Sequence, residues 1–358
     1  MKKFLATLSV FAVFFAAFAG CKKGGSGEKV GISMPTQSLQ RWNQDGANMK
    51  AQFEKAGFDV DLQYAGDNDI PTQVAQIENM IATGCKVIVI AAVDGSSLTE
   101  VLKTAKQKNI PVIAYDRLIM NSDAVSYYAT FDNFKVGTIQ GEFLKNALKL
   151  DSTKGPYNIE LFTGSPDDNN INFFFGGAMS ILKPYIDKKV LVVKSGQTSK
   201  AQCATQNWST EEAQKRMENL ITQNGYGPKG TKLHAVYSSN DSVAQGITNA
   251  LVGAGYTKDN FPLITGQDCD KTSVINMLKG QQAMSIFKDT RTLAEQVVKM
   301  TSQIIKGEQV DVNDTKTYNN GVKVVPSFLC EPVFATVDNY KKLLIDTGYY
   351  KEDDLKVK

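Results

Sequence analysis

Residues 87–91 (Val87, Ile88, Val89, Ile90 and Ala91) form an unbroken apolar run. Such a run fits a parallel strand covered by helices on both faces, since a strand with one wet face would alternate. It has company. Residues 30–33, 60–64 and 111–115 read as further strands. Between them Ile70, Val74, Ile77, Met80 and Ile81 recur at helical spacing, and Leu98, Val101, Leu102 and Ala105 form a second stripe. Pro71 suits the first turn of its helix, where no backbone donor is needed. The pattern then restarts. Strands are expected at 158–162, 190–193, 233–237 and 263–265, with helical segments near 172–187, 210–224, 241–254 and 270–279. Two successive βαβα sets predict an α/β fold of two doubly wound parallel-sheet lobes. After residue 283 come one strand, a helix near 289–306, an irregular stretch at 311–325, a short strand and a last helix near 337–347. These are too few for a third domain. They are expected to complete the two lobes through three hinge crossings, near 131–134, 283–288 and 315–325. The expected division is 29–132 plus 284–318 for the N-terminal lobe and 133–283 plus 319–350 for the C-terminal lobe.

The first 20 residues stand apart. Lys2 and Lys3 precede a short apolar run at 4–19, and Phe18, Ala19 and Gly20 lead to Cys21. This is the pattern of a lipoprotein signal peptide, too short for a comfortable membrane span. Cys21 is the expected lipidation site, and residues 21–28 read as a tether to a membrane surface. The expected location is the periplasm or cell surface. Of 358 residues, 40 are Lys or Arg and 37 are Asp or Glu. Two of those cations lie in the leader, so the remainder is close to neutral, which argues against nucleic-acid binding through a basic face. A single histidine, His234, lies in the apolar segment LHAVY and reads as structural. Cys85, Cys203, Cys269 and Cys330 show no CxxC spacing, and both a disulfide and isolated thiols stay open.

A doubly wound fold binds its ligands at the C-terminal ends of its strands. Polar clusters fall there: Arg41 and Trp42 at the end of the loop after the first strand, Asp116 and Arg117 after residues 111–115, residues 164–170 after 158–162, Asn240 and Asp241 after 233–237, and Asp268 after 263–265. Asp, Asn and Arg offer planar acceptors and donors that match adjacent sugar hydroxyls. The two tryptophans, Trp42 and Trp208, fall one in each expected lobe and could cover the C–H faces of a pyranose. Asn240 could equally act only as a helix cap.

Several strings then carry a resemblance: QIENMI (76–81), AYDRLI (114–119), TFDN (130–133), GSPDDNN (164–170), LKPYID (182–187), SGQ (195–197), GQD (266–268), NDTKTYNNGVKVVPS (313–327) and GYYKED (348–353). In this order they resemble the sugar-binding proteins of ABC importers, the ribose/galactose-type class with the type I periplasmic binding protein fold, and among these the xylose-binding and multiple-monosaccharide-binding members. The resemblance implies sugar contacts from Arg41, Trp42, Asp116, Arg117, Asp168, Asn170, Trp208, Asn240, Asp268 and Lys288, with Asp94 ranked lower. It implies a monosaccharide ligand, an ABC permease with its ATPase as partner, no cofactor and no metal, and a monomer. A chemoreceptor or sensor kinase as a second membrane partner stays open, as does a furanosyl signal or nucleoside as ligand.

Other classes fare worse. There is no Walker A, GxGxxG, HExxH or GxSxG motif. Asp116, Asp168 and Asp268 could in principle form an acid/base pair for glycoside hydrolysis. The acidic stretch at 311–314 lacks the glycine and the distal acid of a calcium loop. A repressor of this fold would carry a DNA-binding head where the export signal stands.

Overall fold

A computed structural model describes residues 27–357. The expected signal peptide, Cys21 and most of the expected tether lie outside the described residues. In chain order the elements begin β1 (Lys29–Met34), α1 (Gln40–Lys55), β2 (Asp59–Tyr64), α2 (Ile70–Ala82), β3 (Val87–Ile90), α3 (Thr99–Gln107), β4 (Val112–Tyr115) and β5 (Val125–Phe131). Next come α4 (Asn133–Ala147), β6 (Tyr157–Phe162), α5 (Asn170–Asp187), β7 (Leu191–Val192), α6 (Thr210–Asn224), β8 (Ala235–Ser238), α7 (Asp241–Gly253), β9 (Leu263–Ile264) and α8 (Lys271–Leu278). The chain ends with β10 (Ser285–Phe287), α9 (Thr290–Lys306), β11 (Ser327–Cys330), β12 (Val333–Ala335) and short helical turns at Lys341–Ile345 and Glu352–Leu355.

The first sheet has the order β11-β5-β4-β3-β1-β2 and is parallel throughout. All four residues of β3 are buried, as a continuous apolar run requires. Helices cover both faces of this sheet, giving two apolar layers, one around Ile77, Leu102 and Tyr128 and the other around Met49, Phe53 and Val297. The second sheet has the order β7-β6-β8-β9, also parallel. Its own layers centre on Met217 and Ile247 and on Leu161 and Tyr237. Asp69, Asp132, Ser209, Asn240 and Asp289 each cap a following helix, accepting its exposed backbone N–H groups.

The crossings fall at strand ends. The first lies at Asp132, within the expected 131–134. The second lies at the edge of the expected 283–288, and the third lies beyond the expected 315–325. β10 bridges Gln267 through Ile286 and pairs with β12, so it stays with the second lobe, and the chain crosses at Lys288 and Asp289. β11 pairs with β5 of the first sheet, so residues up to Cys330 belong to the first lobe and the last crossing follows at Glu331. The backbone ladder decides both, and composition carries no trace of it. Among the described residues no helix is long and apolar enough to cross a membrane.

Candidate functional site

The C-terminal ends of β4, β6, β8, β9 and β10 converge on one cleft between the lobes. Arg41 and Trp42 join them from the first turn of α1, not from a loop as their position suggested. The cleft encloses a cavity of about 430 Å³ lined by Leu39, Arg41, Trp42, Asp116, Arg117, Asp168, Phe174, Trp208, Asn240, Ser242, Gln267, Asp268, Asp270 and Lys288.

Arg41 is the hub. Its Nη1 donates to Asp268 Oδ1 at 2.7 Å, its Nη2 to Asp116 Oδ2 at 2.5 Å and its Nε to Asp45 Oδ2 at 2.9 Å. The first of these bonds spans the two lobes. Lys288 Nζ lies 3.0 Å from Asp268 and 3.7 Å from Asp116. Arg117 donates Nη1 to the carbonyls of Ala92 and Val93, while its Nε sits 3.2 Å from Asp168 Oδ2 without the alignment of a hydrogen bond. Burial pushes the Asp116 carboxyl up, but Arg41, Lys288 and Arg117 outweigh it and hold it below the usual carboxylate range. Burial prevails at Asp168, whose pKa is raised despite Arg117. The Arg41 guanidinium, though desolvated, is held charged by Asp116, Asp45 and Asp268.

Both tryptophans line the cavity, 4% and 5% exposed, and the indole N–H of each is buried without a partner. The guanidiniums of Arg117 and Arg41 lie 5.1 and 5.6 Å from the Trp42 ring centre, and Trp208 meets Phe174 edge-on. Gly164 permits the placement of Trp208, since a Cβ there would run into its six-membered ring. Asp116, Trp208 and Asp268 all adopt a left-handed backbone, at φ of 56°, 55° and 100°. Such strain in non-glycine residues gathers at functional sites.

Nine of the eleven expected contacts line the cavity. Asn170 stands just behind, donating Nδ2 to the Asp116 carbonyl at 2.7 Å and accepting from Tyr128 and Asn133. Asp94 does not reach it. It is half-buried and turns its carboxylate to the backbone N–H of Ser96 at 2.6 Å, closing its own loop. Asn240 both caps α7 and lines the cavity.

A profile of the periplasmic binding protein domain matches residues 30–309. This span covers most of the chain. The chain belongs to the periplasmic binding protein family. It is 48% identical to the multiple sugar-binding periplasmic receptor ChvE of Rhizobium radiobacter, over 99% of this chain and 100% of the relative. It is 35% identical to the D-xylose-binding periplasmic protein of Escherichia coli, over 91% of this chain and 92% of that one. Among solved structures, an ABC transporter solute-binding protein of Clostridium phytofermentans with bound β-D-glucose superposes with a TM-score of 0.88 at 62% identity, covering 92% of this chain and all of that one.

Some features of this binding protein escaped the sequence. Phe174, Ser242, Gln267 and Asp270 line the cavity without having been singled out. Gln267 lies inside the GQD string and could have been found there, while the others look like helix residues. The four described cysteines are buried and unbonded. His234 accepts from the backbone N–H of Asn158 at 2.9 Å and packs on Tyr157, away from the cavity. The 311–314 segment is tied to its surroundings, with Asp311 paired to Lys299 and Asp314 closing the turn at Thr317.

Proposed function

We propose that this binding protein captures an aldopyranose, such as glucose, galactose, xylose or arabinose, between its lobes and delivers it to an ABC permease whose ATPase supplies the energy. The cavity carries the reading. It joins planar carboxylates and guanidiniums with two indoles, one from each lobe, in a space fit for a small ring. Ring hydroxyls would bond to Arg41, Asp116, Arg117, Asp168, Asn240, Asp268 and Lys288. The ring's C–H faces would lie on Trp42 and Trp208. Groups from both lobes can meet one ligand only when the lobes are together, so sugar would favour the closed form, which the permease then recognises. The sugar binding of its relatives points the same way. A lipid on Cys21 would hold the protein at the outer face of a membrane. The word receptor in the Rhizobium relative's name keeps a parallel sensory role in view, served by the same closed form.

The two tryptophans make a direct test, since both line the cavity and the chain has no third. Adding D-glucose or D-xylose to ligand-stripped protein should give a saturable change in indole emission. A flat titration with every aldopyranose, from folded protein, would remove the sugar assignment and bring nucleosides and furanoses forward.

A further inference from the structure

Asp270 occupies the N-cap position of α8, yet its side chain does not cap the helix. Asp69, Asp132 and Asp289, at the same position of their helices, all do. Asp270 is instead among the residues that line the cavity. Its Oδ1 is shut off from solvent and has no hydrogen-bond partner. The charges of the cavity lining explain why this matters. Each of the three cations already has a carboxylate: Arg41 has Asp116 and Asp268, Lys288 has Asp268, and Arg117 has Asp168. Among the described residues no cation lies within ion-pair distance of Asp270, so it is the fourth acid to three cations. Asp241 behind it offers no relief. That carboxylate already accepts from the backbone N–H of Asp270 and from Gln282 and Ser285.

We infer that Asp270 is a ligand-facing acid of this cavity, and that the site takes an aldose bearing an ammonium group (an amino sugar) as well as neutral aldoses, with Asp270 as the counter-charge. This rests on the sugar-binding reading. A hydroxyl could also satisfy Oδ1, and a proton on Asp270 balances the lining at low pH, but once Asp270 ionises a ligand cation is what restores the charge balance. The groups facing Asp270 are Asp268 and Cys269 on its own loop, Asp241 at the start of α7, Arg41 on α1, Lys288 after β10 and Tyr350 near the C-terminus. Burial and then Asp268 raise its pKa to about 7, with Arg41 and Lys288 pulling the other way. Below that pH the carboxyl is neutral and exerts little hold on an ammonium. Preference for the amino sugar over its neutral parent therefore grows as the pH rises and Asp270 ionises.

The test is calorimetric titration of wild type and Asp270→Asn with D-glucose, D-glucosamine and the other aminodeoxy aldoses. In wild type at least one amino sugar should bind within about tenfold of D-glucose, because an ion pair offsets the cost of bringing its charge inside. Asp270→Asn should weaken that amino sugar at least about tenfold more than it weakens D-glucose. In wild type the ratio of the two affinities should climb toward the amino sugar between about pH 5 and pH 7. That readout needs no variant, so a misfolded Asp270→Asn leaves the question decidable. A pH-independent ratio, equal weakening of both sugars in the variant, or glucose binding with no amino sugar bound would each overturn the inference and leave the sugar reading standing. No binding of any neutral or amino aldose would overturn both.

Discussion

Arg41 joins the lobes electrostatically, with Asp116 and Asp45 on one side and Asp268 on the other. Removing Asp116 takes one buried acceptor from Arg41 and Lys288, each of which keeps Asp268. Asp116→Ala should therefore lower unfolding stability by roughly 1–3 kcal/mol in a denaturant titration. It should also weaken aldose binding by about 100-fold or more, because a site built to bond hydroxyls is left with unpaired groups. Unchanged affinity would show that Asp116 serves the fold alone. At this scale the sequence was a fair guide. An Asp or Arg placed just after an apolar run is conspicuous, and Asp116, Arg117 and Asp268 were legible for that reason. Asp94 shares that cue, yet its carboxylate folds back on its own turn and does not line the cavity. Asp270 passed unnoticed because an Asp before a helix looks like a cap.

Elements that serve the cleft were harder to see than elements that serve the core. The buried face of α1 carries Arg41, Trp42, Asp45, Gly46, Met49 and Phe53, and that of α4 carries Asn133, Val136, Gly137, Gln140, Gly141 and Leu144. Polar and glycine positions interrupt both stripes, so hydrophobic periodicity fails where function draws polar groups inward. β5 was missed as well, its half-buried Ser126 and Tyr127 breaking the apolar run. The glycines of α4 and α5 have a physical role of their own. A Cβ on Gly177 would collide with the Phe134 carbonyl, and one on Gly137 with that of Phe174, so the two helices pack backbone to backbone. Gly177→Val should force them apart and cost about 2–3 kcal/mol, measured as a lower midpoint in urea unfolding. A variant as stable as wild type would mean that the helix pair slides freely.

For the whole molecule, two lobes with separate cores meet across one polar cavity and exchange the chain three times. The two-lobed α/β plan was legible because each lobe repeats the same rhythm of strand and helix. The last point of exchange was not, because β11 is assigned by its partner β5, which lies far away in sequence. On the proposed function, closure gives this arrangement its use. The Arg41–Asp268 bond, the Asn170 bond to the Asp116 carbonyl and the Gln40 bond to Tyr350 at 2.7 Å all run from one lobe to the other. Neither lobe alone presents more than part of the cavity wall, so a ligand gains its full set of contacts only from the pair. The most direct test is calorimetric titration of residues 22–358, stripped of any co-purified sugar, with single aldopyranoses. The account predicts one site per chain and a dissociation constant of about 1 μM or tighter, near −8 kcal/mol, for at least one of D-glucose, D-galactose, D-xylose and L-arabinose. Folded, empty protein that gives no heat of binding with any of them would contradict it.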